Sequence, residues 1–150
     1  MKDKEIVVEE LNTLLRGTYM GIRAFEHHIQ NLHEPELKQT FQSIQQETKQ
    51  NAQKLAERIQ NLNGVPANSE GVTGTIHGFM HKAMLSDHPN EILKDALKGL
   101  EKYGVEYSEE LVKGDLDQES KKVAEDVIDT SRRHADEIRH LLERTNQKTN

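Results

Sequence analysis

The chain has 150 residues, a formal net charge of -6 with His neutral, 31% charged and 33% hydrophobic residues, and neither Cys nor Trp. Its Lys and Arg are interleaved with acids, which excludes binding driven by phosphate neutralisation; no nucleic-acid partner is expected. Without Cys there are no disulfides, thiolate nucleophiles or Cys-based zinc sites, and no apolar run approaches the ~18 residues of a membrane span.

The first ten residues lack the apolar core of a signal peptide, so the expectation is a cytoplasmic protein with no membrane partner. On a helical wheel of ~100° per residue, Val7, Leu11, Leu14, Leu15, Ile22, Phe25, Ile29 and Leu32 share one stripe. This predicts a long helix over about residues 4–32. Glu34-Pro35-Glu36 stops it and opens a second helix over about 35–62, with Pro35 in its first turn. Leu37, Phe41, Ile44, Leu55, Ile59 and Leu62 form that helix's apolar face, and Gly64 stands at the C-terminal cap position.

Residues 63–71 read as loop, and Thr75 to Leu85 as a short helix. A third long helix starts near Pro89, carries Ile92, Leu93, Ala96, Leu97, Leu100, Tyr103, Tyr107 and Leu111, and ends at Gly114. Asp117 is the expected N-cap of a fourth, which presents Val123, Val127, His134, Ile138 and Leu141 and frays over 144–150. Short, long and short connections give one domain over 1–150, with a core at about 4–143. It is an all-α, ferritin-like four-helix bundle whose long crossover makes helices two and three parallel.

Bundles of this kind hold two metal ions with inward Glu residues and Glu-x-x-His pairs, because hard divalent ions take carboxylate oxygen plus imidazole. Glu137-Ile138-Arg139-His140 matches that pattern in letters, but Glu137 lies roughly 70° and His140 roughly 130° from the centre of the stripe. His134 lies near its centre, and Glu26 roughly 60° off the centre of helix one. Those two are the candidate metal ligands, with a hydrogen-bonded core histidine as the competing reading. The rest of a dinuclear set is missing: helix two has no His, Glu47 lies roughly 90° off its stripe, and Thr18, Thr48, Tyr103, Tyr107 and Thr130 occupy inward positions. His77 and His81, at i and i+4, are a weaker pair that could chelate iron or zinc. His27 is expected to face solvent. Gly17 and Gly21 mark either close helix packing or a self-association face.

The stretch from Leu14 through Gly17-Thr18-Tyr19-Met20-Gly21 to Glu26 resembles a bacterial ferritin-like family of unknown function. So do Glu36 to Phe41, Asn63-Gly64-Val65-Pro66, Gly99 to Tyr107, and His134. The likeness covers about residues 8–143. It implies the ferritin-like fold and supplies no activity. The functional expectation is a non-enzymatic helical module, associated with stress, that acts through homo-oligomer formation or a protein partner. The alternative is a degenerate metal site at Glu26 and His134, and a dinuclear oxidase comes last.

Overall fold

The computed structural model describes residues 3–69, 71 and 88–149, with side chains through residue 145. Its long elements are α1 (Lys4–Asn31), α2 (Pro35–Asn61), α3 and α4 (Gln118–Thr149). The third, α3, is α-helical over Pro89–Gly99, π-helical over Leu100–Tyr107, and ends in an α turn over Ser108–Leu111. The short helix expected over 75–85 falls on residues outside those described, as do His77 and His81.

Local chemistry sets the ends. Asp3 caps α1, its carboxylate accepting from Glu5 N–H at 2.9 Å, and Pro35 and Pro89 sit in the first turns of α2 and α3, where a missing N–H is harmless. Past α2 it is Asn63, not Gly64, that takes the left-handed conformation, with φ 66°. Gly64 serves close approach instead: a Cβ built there would lie 2.7 Å from Val8 Cγ1. Asp117 accepts from Ser120 N–H at 3.3 Å. Arg58 of α2 clamps this N-terminus, reaching Ser120 Oγ at 2.9 Å and Asp117 at 3.0 Å. Helix α4 continues through Thr149, with neither Gly nor Pro in Thr145–Thr149 to end it.

Two core clusters fix the topology. One joins the end of α1 (Phe25, Ile29, Leu32) to the start of α2 (Phe41, Ile44), the start of α3 (Ile92, Leu93, Ala96) and the end of α4 (Ile138, Leu141). The other joins the opposite ends, with Val7, Leu11, Leu55, Ile59, Leu116, Ala124 and Val127. Helices α2 and α3 therefore start at the same end and run parallel, as the crossover predicts. Helix α1 packs beside α2 and α3, and α4 beside the same two, so α1 and α4 face each other across a diagonal. After α2 the chain turns back along α1. Gly64 meets Val8, the Asn12 side chain donates to Val65 O (3.0 Å) and accepts from Ala67 N–H (2.7 Å), and Gly71 comes beside Arg16. The crossover thus begins by climbing α1, one turn at a time, toward the end where α3 starts.

The π-helical stretch changes the phase of α3. The wheel places Tyr107 inside, but Tyr107 is 51% exposed and its neighbour Ser108 is 4% exposed. A widened turn inserts a residue into the ladder, so the inward position moves on by one.

Candidate functional site

Between the two core clusters lies a cavity of about 70 Å³. On α1 its wall is a run of small residues, Gly17, Thr18, Gly21 and Ala24, ending at His28. Among the described residues, a Cβ built on Gly17 meets nothing within 4 Å, and one on Gly21 meets only Thr48 Cγ2, at 3.9 Å. Among the described residues neither glycine is pressed by a neighbouring helix, and both are half-exposed along the cavity wall. Each lowers helix stability by roughly 1 kcal/mol relative to Ala. Opposite stand Leu100, Tyr103 and Gly104 of the π-helical stretch, with Val127, Ser131 and His134 of α4 behind. Gly104 is needed there: a Cβ on it would press to 3.1 Å from Ser131.

His28 is 1% exposed. Phe25 and Phe41 stand edge-on to it, with ring centroids 5.8 and 6.0 Å away. Neither ring nitrogen has a hydrogen-bond partner among the described residues. Burial, with a smaller push from His27, lowers the imidazole to about 4, so the ring is neutral at pH 7. No sequence signal singled it out beside His27, yet one was present: residues 17, 21, 24 and 28 lie on one helical face, three of them small and the fourth polar.

His134 is 1% exposed, as its wheel position predicts. Its partner is not Glu26. Nε2 lies 3.1 Å from Glu47 Oε1, and Arg133 grips the same carboxylate at 3.2 and 2.8 Å. Chiefly because of Arg133, the carboxyl is held down at about 2. An ionised carboxylate only accepts, so Nε2–H is the donor. Burial lowers the His134 imidazole more than Glu47 raises it. The physical reason for the changed partner is the diagonal. Parallel helices α1 and α4 are not ring neighbours, whereas α2 and α4 are, and the long Glu47 side chain reaches round from the edge of its stripe. Replacing Glu47 with Ala strands a buried N–H and is expected to cost ~1–3 kcal/mol. Glu47→Ala and His134→Leu together should cost less than their sum in urea denaturation; strict additivity would refute the contact.

Glu26 itself is exposed. It accepts from Gln45 Nε2 at 3.1 Å and Gln30 Nε2 at 3.3 Å, and these bonds hold its carboxyl below the ordinary value. Glu137 and His140 are both exposed. Among the described residues no group of three or more His, Asp or Glu could hold a metal ion. Mid-bundle positions carry two imidazoles, hydroxyls and apolar groups, and the described cavity wall has no carboxylate. Two divalent ions need inward acids to balance their charge, so this donor set does not fit a dinuclear iron centre.

A family model described as "Domain of unknown function (DUF2383)" matches residues 6–114. Among solved structures, the chain is similar to the bacterioferritin-related protein from Bacteroides fragilis, described as a dodecameric thioferritin. The TM-score is 0.79 at 14% identity, covering 99% of this chain and 90% of that one. At that identity the likeness shows the fold, which is ferritin-like. No curated protein matches the chain.

Proposed function

The chain belongs to the DUF2383 family, and we propose that it is a non-enzymatic ferritin-like module that works by self-association, without a dinuclear metal centre. The observation that carries this is the mid-bundle wall, where imidazoles, hydroxyls and glycines stand in place of inward carboxylates. Self-association draws support from the Bacteroides fragilis protein, which shares the fold and is described as dodecameric. No helix among the described residues is long and apolar enough to cross a membrane.

Untagged protein tested by light scattering after size exclusion, by iron analysis and by oxygen uptake with ferrous iron is expected to be oligomeric. It should carry far less than two irons per chain and consume no oxygen. A monomer would refute the assembly. Two irons per chain, with oxygen uptake lost in His134→Ala, would refute the rest. The rival reading, one metal held by Glu26 and His134, requires Glu26 to leave Gln45 and His134 to leave Glu47. It would show as a chelator-reversible rise in melting temperature that vanishes in His134→Ala.

A further inference from the structure

We propose that α3 has two registers, one π-helical and one α-helical, and that the Glu109–Arg132 ion pair is the latch that holds the first. The inference goes beyond the assembly reading and does not rest on it. It starts from a mismatch between sequence and structure. Counted from Ala96 on an α-helix, Leu100, Tyr103, Tyr107 and Leu111 fall within roughly 60° of it, and Ser108 lies roughly 120° away. The apolar spacing of this segment is therefore α-helical through its whole length. In the structure Tyr107 is 51% exposed and Ser108 4% exposed. Ser108 Oγ donates to Tyr103 O at 3.0 Å, at the exit from the π-helical stretch. A large aromatic is turned out and a serine is turned in, against their ordinary preference.

Helix α4 supplies the counterforce. Two ion pairs tie it to α3: Glu101 with Arg139 at 3.2 Å, and Glu109 with Arg132. The two helices run antiparallel. Glu109 lies eight positions after Glu101, but Arg132 lies only seven before Arg139. Seven positions on an α-helix return to the same face within roughly 20°, whereas eight turn it by roughly 80°. The residue inserted by the π-helical stretch removes that difference, so both pairs close together only in the π register. Between them Gly104 lets α3 approach α4 at Ser131.

The opposing terms are both small. Exposed ion pairs are individually weak, and these four side chains are between 41% and 48% exposed. Arg132 also pairs with Asp129 within α4, so it keeps a partner when Glu109 leaves. Against the pairs stands the burial of Tyr107. The α register returns it to the stripe between Tyr103 and Leu111, on the side where Leu100 and Tyr103 line the cavity. The turn after α3 has room for the displaced residue, since a Cβ built on Gly114 meets nothing within 4 Å among the described residues. Salt screens exposed charges, so ionic strength sets the register.

The test uses the full chain with its three tyrosines replaced by 3-fluorotyrosine, the Tyr107 signal being assigned through Tyr107→Phe. Scalar couplings across backbone hydrogen bonds identify the carbonyl that each amide meets. At low salt, amides late in the π-helical stretch are expected to couple to carbonyls five residues back, with the Tyr107 fluorine in a solvent-exposed environment. In about 1 M NaCl, where screening acts within ~3 Å, the ratio of α to π register should rise about two- to fivefold, the worth of an exposed ion pair. Couplings to carbonyls four residues back should grow, and the fluorine signal should move toward a buried one. Glu109→Gln and Arg132→Gln should each do the same at low salt and respond less to added salt. Couplings that stay five residues back in salt and in both variants would overturn the proposal, even if the fluorine signal moved. Couplings four residues back in the wild type at low salt would overturn it too.

Discussion

Acidification from pH 7 to pH 4 is expected to destabilise the bundle by about 3 kcal/mol through His28 alone. In the folded state burial holds this imidazole at about 4, against 6.5 for a free one. Between those values the unfolded chain binds the proton and the folded chain does not. Stability is therefore complete above pH 6.5, falls as pH drops toward 4, and levels off below. The depressed carboxyl of Glu47, at about 2, adds its own loss at lower pH. Urea denaturation at several pH values, wild type against His28→Phe, isolates the histidine. The stability difference between the two proteins should change by about 3 kcal/mol between pH 7 and pH 4, with the wild type losing more, and parallel pH dependences would show that His28 is not desolvated.

Phe41→Ala should cost roughly 3–5 kcal/mol, the range for truncating a buried aromatic. Phe41 is 0% exposed, its ring 5.0 Å from that of Phe25 and 6.0 Å from that of His28. It sits in the cluster where all four helices meet. The substitution also removes one of the two rings that keep water from His28. The imidazole should then titrate closer to 6.5, and the acid-dependent part of stability should shrink. An NMR titration of His28 in this variant checks the second effect; an unchanged midpoint would mean that Phe41 does not shield the ring.

Much of this fold was legible from periodicity. Apolar stripes recur every 3.6 residues in α1, α2 and α4, prolines mark two starts, and residues 63–88 are too many for a tight turn between antiparallel neighbours. Two errors have one source, since a wheel describes a single helix and knows nothing of its neighbours. It could not show that α1 and α4 lie on a diagonal, so it paired His134 with Glu26. Nor could it show that a π-helical stretch would turn Tyr107 outward and Ser108 inward, because backbone hydrogen bonding leaves no trace in hydrophobic spacing. The burial of His134 was readable because apolar neighbours surround it on the wheel. His28 escapes notice because adjacent histidines draw attention to each other, not to the glycines two and three turns before.

The cavity that Gly17 lines among the described residues also bears on the volume of the protein. A packed interior resists compression, but a void exists only while the chain is folded and disappears when solvent enters. The cavity's 70 Å³ amounts to about 40 mL/mol, inside the range by which proteins shrink on unfolding, though only part of a void appears in that change. Hydrostatic pressure should therefore favour the unfolded chain, and more weakly in Gly17→Leu, where a side chain occupies the space.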